Sequence, residues 1–331
     1  MISKLLESLY TKVFINIVVE SLQTVVYVEV CSNKRVEQSV HKSFETIAMN
    51  SKMHEFISAY CKVSPFFYIS VLDKSSLQGA VPTCIANEMA RYCDINSSEY
   101  KCYSKEWAFY TSEYDLEATK HDYRSIGIDF VFSPFALLAN FFKDKIDNTL
   151  SIFVLLESNS LSFTIFENSK LLYAEHLSMK INKDSEDVLI DTHLYAEDEI
   201  VDGIDLEEIT IEDDSSGFDD FTNIEDLDDG SSIDEFSDNV ETQELNRVDE
   251  STSDSGFNED YQRYTLIQRA LSTFYKDPKY KSQFIETIYI ADGVGASGDL
   301  KNYLEEEIFL SVFVRKIDLG GALCDMAKAE I

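Results

Sequence analysis

Three glycines, Gly293-x-Gly295-x-x-Gly298, lie between a run rich in β-branched and aromatic residues, "FIETIYIA", and a helical pattern, "DLKNYLEEEI". Glycines at this spacing let backbone N–H groups approach a pyrophosphate at a helix N-terminus, and Asp318, about 20 residues on, has the spacing of a ribose-binding acid. Position in the chain argues against that dinucleotide reading. Such a fingerprint opens a series of βαβ units, whereas about a dozen residues follow Asp318. The plainer reading of Gly293 and Gly295 is a tight strand-to-helix turn kept for packing.

Other chemistry-bearing residues are scattered. His41, His54, His121, His176 and His193 show no H-x-x-x-H or Cys/His ligand spacing, so no metal site is expected. No Ser/His/Asp or Cys/His arrangement can be assembled, and no catalytic residue is assigned. Cys31, Cys61, Cys84, Cys93, Cys102 and Cys324 include no C-x-x-C pair and read as reduced, mostly buried thiols of a cytosolic protein. Trp107, in "KEWAFYTSE", reads as core filler rather than a ligand platform.

The elements that must position these residues begin with two strands, "VFINIVV" and "TVVYVEV", and a third segment around Val36 to Val40, the start of a β-meander. "HEFISAYCKV" has helical periodicity and "FFYISVLD" reads as a buried strand. Residues 78–124 suggest a small separate unit, with a helical "CIANEMARYC" and strands in "SEYKCYSKEWAFYTSE". "YRSIGIDFVFSPFALLANFFKDK" predicts a strand, a turn at Ser133-Pro134 and a helix with Pro134 in its first turn. The meander pattern then returns in "TLSIFVLLES", "SLSFTIFEN" and "KLLYAEHLSM", with a hairpin turn at Glu167-Asn168-Ser169-Lys170. An amphipathic helix over "YQRYTLIQRALSTFYKD" buries Leu266, Ile267, Ala270, Leu271, Phe274 and Tyr275 on a sheet, and "SVFVRKI" reads as the last strand.

Composition bounds what such a chain can bind. The 331 residues, 44% of them hydrophobic, suffice for one large or two medium domains. A formal charge of -33, from 61 acids against 28 Lys plus Arg, repels nucleic acid and anionic lipid. No apolar run reaches the ~20 residues of a membrane helix, and the N-terminus shows no small-residue cleavage site, so neither a span nor a signal peptide is expected. Between 184 and 260 about thirty Asp and Glu face the lone basic residue Arg247. This tract is expected to be disordered, either as a solvated spacer or as a segment that orders on a basic partner.

Two meander starts, each followed by helix and strand units, with a glycine loop near the C-terminus, resemble the actin-like ATPase family. "LIQRALSTFYKD…FIETIYIADGVGASGDLKNYLEEEI" and "FTIFENSKLLYAEHL" are similar to its PilM and FtsA branch, most closely PilM, over 149–177 and 264–319. The resemblance implies an α/β, two-lobed fold of duplicated mixed sheets with flanking helices. The first lobe would span 11–148 with a small subdomain at about 78–128, the second 149–331, with the acidic tract 184–260 as an insertion in the second.

The same resemblance implies degenerate nucleotide chemistry. The first phosphate loop would place Asn16 at the metal-holding acid and Val18 at the glycine. The second would place Leu155 and Glu157 there, and Asp292 stands where the adenosine loop has its first glycine, while Gly293 and Gly295 survive. Branched side chains block backbone contacts and an unmetallated carboxylate repels phosphate. The acidic tract also replaces the subdomain that completes the adenine pocket, so no bound cofactor is expected.

Such a protein is expected to be a cytoplasmic scaffold, peripheral at the inner membrane. It would bind the cytoplasmic N-terminal peptide of a PilN-like single-pass membrane protein and so anchor a type IV pilus, type II secretion system or flagellar motor. The partner groove would fall within 78–124, a basic partner could engage the acidic tract, and a homo-oligomer or ring is compatible. The alternatives are an active actin-like ATPase, with Glu20 or Glu157 recruited to metal, and an acidic decoy whose tract is the working part.

Overall fold

The computed structural model describes residues 10–32, 35–146, 149–179, 251–280, 284–296 and 298–331, with the backbone alone over 251–258. The expected disordered acidic insertion lies outside the described residues from 184 to 250.

The N-terminal apolar runs form an antiparallel meander of β1 (Lys12–Val19), β2 (Thr24–Ser32) and β3 (Arg35–Phe44). The chain crosses through α1 (Ser51–Cys61), where Met53 N donates to the capping Asn50 Oδ1 at 2.9 Å, and returns as β4 (Phe66–Leu72), parallel to β1. A small antiparallel unit follows, with β5 (Gln78–Val81), α2 (Ala86–Met89), β6 (Ser98–Tyr103), β7 (Trp107–Ser112) and α3 (Glu113–Asp122); its strands lie in the order β5-β7-β6. The chain then adds β8 (Phe130–Phe132) parallel to β4, which completes a sheet of order β3-β2-β1-β4-β8. Ser133 caps α4 (Pro134–Phe141), whose first turn holds Pro134, as expected.

The pattern then repeats. β9 (Ser151–Leu156), β10 (Ser160–Glu167) and β11 (Lys170–Ser178) form a second meander, turning at Asn168 and Ser169, both at positive φ. After α5 (Ser251–Lys276), the chain forms β12 (Thr287–Asp292), α6 (Gly298–Glu306) and β13 (Ser311–Lys316). β12 runs parallel to both β9 and β13, giving the order β11-β10-β9-β12-β13. Two sheets with one strand order and one set of strand directions make the duplicated, two-lobed actin-like fold that the resemblance implies.

Alternation along the strands divides the core. Val13, Ile15 and Ile17 of β1 face the cluster around α1, while Phe14 and Val18 join a second cluster that also holds Phe153 and Leu155 of β9. The other face of β9, with Ile152, Val154 and Leu156, packs with Ile267, Ala270 and Phe274 of α5. All of residues 134–139 in α4 are buried, because this helix is enclosed by apolar residues of both lobes. Trp107 is core, stacked on Tyr103 at 4.7 Å and edge-on to Phe166 at 5.9 Å.

Four expectations change. First, the chain does not end on a strand: α7 (Leu319–Glu330) follows β13. It packs on β1, β2 and β4 of the first sheet. Lys328 Nζ donates to Glu29 Oε2 at 2.6 Å, and Leu323, Cys324 and Ala327 are buried beneath, the leucine alone worth about 2 kcal/mol. Gly320 permits the approach, since a Cβ there would lie 2.5 Å from Tyr27 Cβ. Second, the backbone of α5 is helical from Ser251, so the acidic range loses its last ten residues to a helix. Third, Cys84 and Cys102 are joined in a disulfide, contrary to the expectation of six thiols, because the small sheet brings their Cα atoms within 5.6 Å. Fourth, of the four free cysteines only Cys324 is buried.

Candidate functional site

Each lobe ends its first strand on a glutamate that opens a tight turn. Glu20 N donates to Gln23 O at 2.8 Å between β1 and β2, and Glu157 N donates to Ser160 O at 3.0 Å between β9 and β10. The repeat therefore makes Glu20 and Glu157 structural equivalents. Asn16, Val18 and Leu155, expected in phosphate loops, lie within strands and are buried, because β1 and β9 run on through them. Asn16 is spent on the fold: Ser70 Oγ donates to its Oδ1 at 2.7 Å, and its Nδ2 donates to Tyr27 O at 3.4 Å.

The two glutamates differ in setting. Glu20 is half-buried and accepts from Gln23 Nε2 at 2.6 Å. Glu157 is 1% exposed and accepts from Lys74 Nζ at 2.8 Å, an ion pair that joins the end of β4 in one lobe to the end of β9 in the other. Its second oxygen, Oε2, is buried without a hydrogen-bond partner among the described residues. Asp73, beside Lys74, is also buried; desolvation raises its pKa, the Ser75 amide donating at 2.9 Å pulls it down, and the charges of Asp115 and Glu157 push it up. His176 of β11 shares a hydrogen bond of 3.0 Å between Nδ1 and Ser162 Oγ, and burial lowers its pKa although Glu157 opposes that shift. No group of three or more His, Cys, Asp or Glu able to hold a metal occurs among the described residues.

The glycine loop between β12 and α6 turns inward on its own aspartate. Asp292 Oδ1 accepts from Val294 N at 3.1 Å, Gly295 N at 2.8 Å and Ala296 N at 3.1 Å. Three successive amides converging on one oxygen form an anion nest, and here the anion belongs to the chain. Gly293 N donates to Leu156 O at 3.2 Å, where a Cβ would lie 2.8 Å from that oxygen, and Gly295 sits at φ +74. Gly293 is thus needed for close approach to β9 and Gly295 for its left-handed backbone.

The adjoining helix start is taken as well. Leu300 N in the first turn of α6 donates to Asp260 Oδ2 at 3.3 Å, while Asp260 Oδ1 accepts from Arg263 Nη1 at 2.7 Å. Asp260 is 1% exposed and Arg263 4%, so the pair is an interior one. In the sequence Asp260 stands at the end of the acidic tract; the signal that sets it and Arg263 apart is the i, i+3 pairing of opposite charges at the head of an apolar helix face. Asp318 is the N-cap of α7, accepting from Gly320 N at 3.1 Å, and has no part in this loop.

Solved structures with related architecture include a protein of actin-like ATPase fold and unknown function from Bacteroides thetaiotaomicron, at 12% identity over 97% of each chain and a TM-score of 0.49. A chain of the PilM–PilN type IV pilus biogenesis complex is 11% identical over 93% of this chain and 89% of its own, with a TM-score of 0.47. The ethanolamine utilization protein EutJ from Carboxydothermus hydrogenoformans is 8% identical over 92% of this chain and 84% of its own, at 0.37. No curated protein matches the chain. Residues 10–139 match the model of a domain of unknown function, DUF8569. Residues 152–331, the greater part of the chain, match that of a second, and the chain belongs to this family, the domain of unknown function DUF8341.

Proposed function

We propose that this chain is a non-catalytic scaffold of the actin-like fold, in which the chain's own carboxylates occupy the amides that would receive a nucleotide. The observation that carries this reading is the pairing of Asp292 with the three loop amides and of Asp260 with the start of α6. A phosphate brought to either would meet a fixed negative charge and would have to displace short, charge-assisted hydrogen bonds. Lys74, a cation at the junction of the lobes, is committed to Glu157.

As a scaffold the chain would work at the cytoplasmic face of the inner membrane, held there by a PilN-like single-pass protein whose N-terminal peptide it binds. A cavity of 320 Å³ supports a peptide groove in the expected region. It opens between the small sheet and the first lobe, with Tyr100, Phe109, Leu116 and Ile128 on its walls and Asp73 and Lys101 as polar groups. The machine so anchored would be a type IV pilus, a type II secretion system or a flagellar motor.

Calorimetry with MgATP tests the reading: no heat of binding is expected at millimolar nucleotide, and saturable binding overturns it. A photo-crosslinker at position 100 of the chain in its native host is expected to capture a single-pass membrane protein at its cytoplasmic end. An active ATPase is the second reading, favoured by the equivalence of Glu20 and Glu157 at the heads of the two turns. It requires the MgATP binding that the first excludes, and loss of that binding in Glu157→Gln.

A further inference from the structure

The small unit carries a second cavity, of 770 Å³, built from the start of β5, the start of α3 and the segment before β6. Its lining is apolar and aromatic at Leu77 and Tyr114, which are 69% and 81% exposed, and acidic at Asp94, Glu113 and Glu117; no lysine or arginine lines it among the described residues. Asp94 is partly engaged, accepting from Asn96 N at 3.1 Å and Ser97 Oγ at 2.8 Å. Glu117 shares an exposed ion pair with Lys120 at 2.7 Å, of the kind that exchanges readily, and Glu113 has no ion-pair or hydrogen-bond partner among the described residues.

A separate feature points to a ligand. Gln78 lines the same cavity and is 5% exposed. Its Nε2 donates to Ser75 O at 2.8 Å and to Asp73 O at 3.4 Å, which fixes the amide and leaves the acceptor Oε1 without a partner among the described residues. Buried acceptors are normally satisfied, so this oxygen calls for a donor. Exposed aromatic surface, three carboxylates and an unmet acceptor together describe a receptor for a planar cation.

We propose that this cavity binds an arginine side chain of a basic peptide, the guanidinium lying on Tyr114 and donating to Glu113, Glu117 and Gln78. Arginine suits the site better than lysine because its planar fork serves several acceptors while its face stacks on an aromatic ring. The net charge of -33 draws such a peptide in and repels an acidic one. The cavity shares no residue with the amide nest of Asp292 or with the groove walled by Tyr100, so the inference stands or falls separately from the proposed function.

The test is fluorescence anisotropy on the full chain with a fluorescein-labelled Gly-Arg-Gly-Arg-Gly peptide and its lysine and glutamate counterparts. The arginine peptide is expected to bind most tightly and the glutamate peptide not at all. Glu113→Gln combined with Glu117→Gln should weaken binding about tenfold and Tyr114→Ala about threefold, with unchanged melting temperatures because all three side chains are exposed. A charge-matched control, Glu306→Gln with Glu307→Gln on the far lobe, should leave the affinity unaltered. The proposal is overturned if the arginine peptide fails to bind or binds no better than the lysine one. It also fails if the Glu113 and Glu117 variant binds as the parent does, which puts the peptide elsewhere on the acidic chain, or if the control loses as much, which makes the effect one of overall field.

Discussion

The two lobes repeat one sheet, yet their turns have taken opposite courses. In the first, Glu20 is half-solvated and bonded to its neighbour Gln23; in the second, Glu157 is interior and paired with Lys74 of the other lobe. The second lobe also holds two sites, at Asp292 and at Asp260, where an internal acid takes amides of a strand-to-helix turn and of a helix start. The difference teaches that equivalent positions in a duplicated fold need not keep equivalent roles. A charge at a turn is cheap where water reaches it and must be matched where the other lobe covers it.

Substitutions that unmatch the interior charges should therefore dominate. Arg263→Ala strands Asp260 and should cost about 3–5 kcal/mol in urea unfolding, while Arg263→Met combined with Asp260→Leu should recover much of that loss. Asp292→Ala frees three amides and should cost about 2 kcal/mol. If it also creates MgATP binding absent from the parent, the internal carboxylate was the barrier. Lys74→Met leaves the interior Glu157 unpaired, and because the lysine itself is 32% exposed the loss is expected at about 2 kcal/mol, against less than about 0.5 kcal/mol for Glu20→Gln. Equal losses from these last two would erase the contrast between the lobes.

A pH series sharpens the same comparison. Burial holds the pKa of His176 below the ordinary 6.5. The unfolded chain therefore binds more protons than the folded one as pH falls below about 6.5, so this contribution to stability is present above that value and declines below it, down to the depressed folded pKa. His176→Gln should flatten the decline between about pH 7 and about pH 5, measured by urea midpoints. A slope unchanged by the substitution would show that the imidazole is solvated in both states.

Much of this fold was legible because its signals are local. The meanders announced themselves by alternation in "VFINIVV" and "SLSFTIFEN", the hairpin by Asn168-Ser169, and α4 by Ser133-Pro134 ahead of an apolar run. α7 was missed because Gly320 and Gly321 weaken the helical pattern of a short segment whose partner, β2, lies far away in sequence. The disulfide was missed because residues 84 and 102 meet only once three strands have paired in the order β5-β7-β6. At the candidate site, Gly293, Gly295 and Asp292 were visible as a motif. What filled the motif was not, since an aspartate in place of a glycine says nothing of where its carboxylate turns.

By itself the amino-acid sequence determined the strands of both meanders, the helices with an uninterrupted apolar face and the concentration of negative charge, all of which follow from periodicity and composition within short windows. Only the tertiary structure decided that Lys74 meets Glu157, that Asp260 joins Arg263 to the start of α6, and that the last helix returns to the first sheet. Those outcomes depend on desolvating charges between segments far apart in the chain, and burial of that kind is a property of the packed lobes.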